Sequence, residues 1–335
     1  MAAAALGAAA LLVSGLLSAQ PAKAATHYPV IWSFLPTALA AAATNGPDVP
    51  PPGADVACSP SSTHPYPVIL VHGLAGDQND NWQTLSPFLA NHGYCVYAFT
   101  YGNQTAAPRP LDEIGGLSAM EQTAPVLAAF VGKVLAATHA AKVDIVGHSE
   151  GGTMPDYYLE FLGGSRHVAH FVSISGVLHG TSFWGAAALY DAAQAYGFGS
   201  QAAGLAAACA SCEEFLTGSS FIRRLDAPNP VATATGAATC PYDGAAVDGV
   251  SYTSVATADD ELVRPPTSDF INPRCDSPAY GITTDNILVQ NQCPTDHADH
   301  LAIVSDPVVA QDILNALDPA HQHPVRCAVV LPAIG

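Results

Sequence analysis

The chain is 335 residues long, 49% apolar, and carries 28 acidic against 10 basic side chains, a formal net charge of -18 at pH 7. That composition supports one large buried core or two smaller ones and excludes a disordered chain. Too few Lys and Arg remain to cluster against phosphates, so nucleic acid is excluded as a partner, and the acidity reads as the solubilising surface of an exported protein.

Residues 1–24, MAAAALGAAALLVSGLLSAQPAKA, form an apolar run followed by Pro21 and the small-x-small pattern Ala22-Lys23-Ala24. This reads as a signal peptide cut after Ala24 or Ala25, although no Lys or Arg precedes the run as is usual. The rival, a membrane anchor, needs about 20 consecutive apolar residues, and Gly15 and Pro21 interrupt the run. An N-terminal arm follows over 25–65, with an apolar stretch from Tyr28 to Ala43 and a Pro/Gly-rich stretch at 47–53 that is expected to be extended and poorly packed.

The main domain is expected over 66–335. The pattern predicts a strand at 67–72, a helix at 82–92, a strand at 94–101, a helix at 118–139, a strand at 143–147, a helix at 151–162 and a strand at 169–175. The Ala/Gly-rich stretch 177–249 has no clear strand and is expected to be a helical insertion or a cap over the site. A strand at 250–257 and a helix at 307–317 close the domain. Continuous apolar strands separated by helices imply a mostly parallel sheet covered on both faces, with functional residues gathered at the strands' carboxyl ends.

Eight cysteines, at 58, 95, 209, 212, 240, 275, 293 and 327, are an even number in a chain that reads as exported, which favours disulfides. Cys209 and Cys212 form a CxxC with no second CxxC at zinc spacing.

The strongest chemical signal is Gly147-His148-Ser149-Glu150-Gly151, a G-x-S-x-G that directly follows a predicted strand and precedes a helix. In that context the serine sits on a sharp turn whose neighbours must be small, and it is a candidate nucleophile. His72-Gly73-Leu74-Ala75-Gly76 ends the first core strand, so the backbone N–H groups of Leu74 and Glu150 are the candidate oxyanion donors. A serine of this kind is followed in the chain by an acid and then a histidine. The acid is one of Asp259, Asp260 and Glu261, in the loop after the last strand. The base is His297 or His300, with His300 favoured because Leu301, Ala302 and Ile303 would anchor its loop to the core. A metal held by the Asp and His residues of 296–300 is the competing reading, set aside because Ser149 would then lack another base.

Several runs together resemble one family: PVILVHGLAGDQNDNWQTLSPFLANHGYCVYAFTYG, VDIVGHSEGG, HGT at 179–181, VSYTSVATADDELVRP and DHADHLAIVSDPVV. They are similar to secreted actinobacterial lipases of the class 2 lipase family. The resemblance implies the α/β-hydrolase fold and hydrolysis of carboxylic esters, often triacylglycerols, without a metal or organic cofactor. It singles out Ser149 as nucleophile, Asp260 within D-E-x-V as acid and His300 within H-L-A-I as base, and it implies a Cys58–Cys95 bridge. Glu150 departs from it, since relatives carry Gln or another neutral residue there; a carboxylate beside the site would alter the pH optimum and the acceptance of anionic substrates.

Leu178, Phe183, Trp184 and Leu262 are candidates for an apolar acyl groove, although the same residues would serve equally as core. The expected partners are an ester or lipid substrate and a transient lipid interface, with no nucleic acid and no obligate protein partner. The competing functions are an acyltransferase or peptidase with the same triad, and a secreted binding protein that kept the fold without the chemistry.

Overall fold

The computed structural model describes residues 26–103, 113–182, 209–227, 246–271 and 283–335. The expected signal peptide lies outside them. Six strands form one parallel sheet in the order β2-β1-β3-β4-β5-β6: β1 (Val68–Val71), β2 (Val96–Phe99), β3 (Val143–His148), β4 (Val168–Ile174), β5 (Ser251–Ala256) and β6 (Thr283–Leu288). The central strands are rich in Val and Ile, whose branched side chains suit a pleat buried on both sides. In β1, Ile69 and Val71 enter one core while Val68 and Leu70 enter the other. Each side chain of this size contributes about 1.5–3 kcal/mol by leaving water.

The first core receives α3 (Met120–Thr138) and α4 (Met154–Phe161), and the second receives α2 (Leu85–Asn91) and α7 (Pro307–Leu317). Along α3 the buried residues Met120, Thr123, Ala124, Leu127, Val131 and Val134 recur at helical spacing, and the helix stops where His139 turns left-handed at φ 56°. Helix α7 begins with the Asp306 side chain accepting the Val308 N–H at 2.7 Å and Pro307 in the first turn. Because every strand runs the same way, the loops after β1, β3, β5 and β6 all leave one edge of the sheet.

Two regions differ from expectation. The N-terminal arm is folded: residues 35–44 form α1 (Leu35–Thr44), and the Pro-rich stretch behind it packs, with Pro47 and Pro51 buried. Ser86 Oγ donates to Pro52 O at 2.9 Å, and Thr100 Oγ donates to Pro47 O. Prolines satisfy this arrangement because their carbonyls accept bonds while their missing N–H groups need no partner. Strand β6 was not anticipated, since TTDNIL at the sheet edge is half exposed and lacks an apolar run. Of the stretch 177–249, the described parts contain two short helices, α5 (Ala210–Glu214) and α6 (Ser220–Leu225).

Asn91 fastens the start of the arm, its Oδ1 accepting the Tyr28 N–H at 2.9 Å and its Nδ2 donating to Tyr28 O at 2.8 Å. Asn91→Ala should therefore lower unfolding stability by about 1–3 kcal/mol. Urea denaturation measures this, and an unchanged midpoint would mean the arm is only loosely held.

Candidate active site

The turn after β3 is strained. Ser149 has φ 56°, a left-handed conformation uncommon for a residue with a Cβ. It persists because the neighbours leave no alternative: a Cβ on Gly147 would lie 1.7 Å from Gly151 O, and one on Gly151 would lie 1.9 Å from Val71 O. Thr153 Oγ donates to Ser149 O at 3.1 Å and tightens the turn.

This turn presents Ser149 to His300. Ser149 Oγ and His300 Nε2 are 2.9 Å apart, and His300 Nδ1 donates to Asp260 Oδ2 at 2.9 Å. All three are buried, at 9%, 3% and 1% relative exposure. Asp260 Oδ1 accepts the N–H groups of Leu262 at 2.9 Å and Val263 at 2.7 Å. Burial opposes the Asp260 charge, but His300 and these donors outweigh it and hold the carboxyl below its ordinary range. An ionised Asp260 keeps the His300 proton on Nδ1 and leaves the Nε2 lone pair facing the serine hydroxyl.

The neighbouring candidates find separate partners. Asp259 pairs with His297 Nδ1 at 2.9 Å on the exposed surface, and Glu261 Oε2 accepts the His300 backbone N–H at 3.1 Å. Asp299 accepts the N–H groups of Leu301 and Ala302, and no three His, Cys, Asp or Glu side chains among the described residues converge to hold a metal. His148 was not singled out from the sequence. Its Nε2 donates to His300 O at 2.8 Å and its Nδ1 lies 3.1 Å from the Asn81 side-chain amide, so it holds the His300 backbone. Burial pushes its pKa down to about 3 and that of His72 down to about 4, keeping both rings neutral.

Above Ser149 lies a cavity of about 430 Å³, within the range of small-ligand sites. One wall is α1, through Phe34, Leu35, Ala38, Leu39 and Ala42; facing it are Leu74, Val177, Phe215, Leu262, Val263 and Leu301. Leu262 thus lines the cavity. Leu178 does not: it is fully buried in the core beneath. Phe183 and Trp184 lie outside the described residues. The α1 wall was missed because its Ala-rich sequence precedes the expected domain. Its spacing at 34, 35, 38, 39 and 42 was the available signal.

Three disulfides join Cys58–Cys95, Cys209–Cys212 and Cys293–Cys327; Cys240 and Cys275 lie outside the described residues.

A six-stranded parallel sheet carrying a serine on a strained strand-to-helix turn, with an acid and a histidine after later strands, is the α/β-hydrolase fold. The pattern of the class 2 lipases matches residues 65–235, and the chain belongs to that family. It is 35% identical over 133 residues to a triacylglycerol lipase of Burkholderia plantarii, covering 38% of this chain and 34% of that one. It is 37% identical over 97 residues to a triacylglycerol lipase of Pseudarthrobacter phenanthrenivorans, covering 28% and 27%. The matched stretches thus span about a third or less of these relatives. Among solved structures, Aspergillus fumigatus lipase B shares the fold at a TM-score of 0.50 and 18% identity, covering 84% of this chain and 64% of that one.

Two further acids, Asp269 and Asp306, are buried. Burial pushes Asp269, which accepts a bond from Ser173 Oγ, up to about 8, and burial together with the charge of Asp296 pushes Asp306 to about 8. An unfolded Asp releases its proton near pH 4, so the folded state holds the extra protons and stability falls as pH rises from about 4 to about 8. His72 and His148 act in the opposite sense, but only below about pH 6.5, where the unfolded imidazole takes up a proton. Between about pH 6.5 and 8 the acids alone of these groups set the slope, and calorimetry should record a falling Tm. A rising Tm across that window would show that these carboxyls ionise freely in the folded chain.

Proposed function

We propose that this chain hydrolyses carboxylic esters, acylglycerols among them, by acyl transfer through Ser149, and that it acts outside the cell. The observation that carries this reading is the hydrogen-bonded run Ser149–His300–Asp260 on the floor of an apolar cavity. His300 Nε2 takes the serine proton as Oγ attacks the ester carbonyl, and Asp260 stabilises the imidazolium that results. The oxyanion is received by the N–H groups of Leu74 and Glu150; the loop of Leu74 abuts the nucleophile, a Cβ on Gly73 lying 3.1 Å from Ser149 Cβ. His300 then protonates the departing alcohol, and the same residues activate water to release the acid. The residues supply the nucleophile, the base and the charge stabilisation themselves.

The acyl chain lies between α1 and the wall of Leu262, Val263 and Leu301. The partner expected at the mouth is an uncharged lipid surface. Residues 28–47 and 327–335 contain no Asp, Glu, Lys or Arg, although the chain carries a net charge of -18. Backbone bonds join the two segments, Phe34 N to Ile334 O at 2.9 Å and Leu35 N to Ala333 O at 3.2 Å. Their exposed side chains include Ile31, Leu35, Leu39, Leu331 and Ile334. The apolar leader and the disulfides favour export. No described helix is long and apolar enough to cross a membrane.

Hydrolysis of p-nitrophenyl esters from butyrate to palmitate tests the reading. Ser149→Ala should lower kcat/KM by at least about 10⁴-fold at every chain length, and a variant with the wild-type rate would overturn the mechanism. Ala38→Trp, which fills the cavity from the α1 side, should move the optimum towards shorter acyl chains. Equal effects on all chain lengths would place the acyl group elsewhere.

A further inference from the structure

Glu150 follows the nucleophile, and its side chain turns away from the cavity into the protein, where it is 0% exposed. Among the described residues, no group donates a hydrogen bond to either carboxyl oxygen. The two hydroxyls that face it, those of Tyr101 and Ser211, have given their protons elsewhere: Tyr101 Oη donates to His72 O at 2.8 Å, and Ser211 Oγ donates to Gly116 O at 2.5 Å. Each hydroxyl carries one proton, so each offers the carboxyl only a lone pair. A buried carboxylate with no donor and no cation is strongly disfavoured, whereas a carboxylic acid brings the one proton that this cluster lacks.

The same carboxyl touches the opposite side of the oxyanion site. Gly116 lies between it and the Leu74 backbone: a Cβ there would be 2.7 Å from Glu150 Oε2 and 3.0 Å from Leu74 Cα. The segment carrying Gly116 is itself pinned to the Leu74 loop, Ala75 N donating to Gly115 O at 2.9 Å and Gly115 N to Gly76 O at 3.1 Å. The side chain of one proposed oxyanion residue is thus packed, through a single glycine, against the backbone of the other.

We propose that Glu150 is a positioning residue held as the neutral acid, donating its proton to Ser211 or Tyr101 and setting the spacing between the N–H groups of Leu74 and Glu150. The inference rests on the oxyanion assignment made above. It also removes the expected penalty on anionic substrates, because an uncharged, enclosed acid adds no negative potential to the cavity.

The titratable groups around this carboxyl are the Tyr101 phenol, the Glu214 carboxyl on α5, and the neutral rings of His72, stacked on Tyr101, and of His148 on its own turn. Burial first, and then the charge of Glu214, pushes Glu150 well above the ordinary range, so the acid persists through neutral pH. Strongly alkaline solution would ionise it, place a charge against Gly116 and part the two donors. The loss would fall on kcat, because the oxyanion forms only during reaction.

The test is kcat and KM for a soluble butyrate ester from neutral to strongly alkaline pH, for the wild type, Glu150→Ala and Glu150→Gln, with Tm recorded alongside. Glu150→Ala should lose at least tenfold in kcat with KM little changed. Glu150→Gln, whose amide is an uncharged donor that does not titrate, should recover most of that loss and retain kcat at alkaline pH where the wild type declines. An alkaline decline in Glu150→Gln superimposable on the wild type overturns the proposal, and that comparison stands even if Glu150→Ala does not fold. Glu150→Gln as impaired as Glu150→Ala at wild-type Tm overturns it as well. Fluorophosphonate labelling of Ser149 in the same preparations reports on the hydrolase reading separately: an unlabelled wild type would sink that reading, whereas labelled protein with either contrary profile sinks only this one.

Discussion

The arrangement depends on one strained turn. Ser149 is held left-handed at φ 56° because β3 must pass into a helix within the space of a glycine on either side. Such a conformation costs on the order of 1–3 kcal/mol and persists only where surrounding structure imposes it. Here the imposition comes from the sheet: β3 pairs on both edges, with β1 and β4, and all six of its residues are buried. Close contact of Gly151 with the carbonyl of Val71 ties the turn to the end of β1, the strand that leads into the Leu74 loop. Position, not the identity of the serine alone, creates the reactive geometry.

The turn also explains the polar interior. Ending several parallel strands at one edge crowds loops together, and loops bring polar groups that must be satisfied without water. The chain meets this with neutral groups. His148 and His72 are kept uncharged by burial, and Asp269 and Asp306 are held as acids well above the usual range. Asp260 is the contrast, a buried carboxylate kept ionised because two backbone N–H groups and His300 all donate to it. Asp269 and Asp306 also accept hydrogen bonds, from Ser173 Oγ and the Val308 N–H, but burial outweighs them, whereas at Asp260 the donors and His300 outweigh burial. The two behaviours follow from the balance of burial against partners and not from residue type.

That distinction sets what could be read from sequence. The glycines around Ser149 are forced by sterics that act over five residues, so the turn was legible, as were the apolar strands β1 and β3 to β5 that surround it. The choice among Asp259, Asp260 and Glu261 was not available from the residues themselves. Three consecutive carboxylates on one loop have the same local chemistry, and only the fold sends one to His297, one to His300 Nδ1 and one to the His300 backbone. Resemblance to the family supplied Asp260. Strand β6 escaped notice because an edge strand of TTDNIL has no buried face to impose a pattern. Leu178 reads equally as groove or core from the sequence, and it is buried in the core.

The largest difference is in the arm that carries α1. The arm reads as a tether because its Ala- and Pro-rich sequence precedes the expected domain, yet its helix α1 forms a wall of the cavity. It can do so because long-range bonds replace local pattern: Asn91 grips Tyr28, Thr84 Oγ donates to Ile31 O at 2.7 Å, and the C-terminal carbonyls of Ala333 and Ile334 cap the start of α1. The tail reaches that point held by the Cys293–Cys327 bridge and by His297 N donating to Val330 O at 3.1 Å, three residues from His300. The arm, backed by the carbonyls of Ala333 and Ile334, therefore closes over the cavity above Ser149. A wall built from the arm is less constrained than one built from the sheet, since its sequence answers to no strand register. The cavity above Ser149 thus varies with α1 while the strained turn and the Ser149–His300–Asp260 run stay as they are.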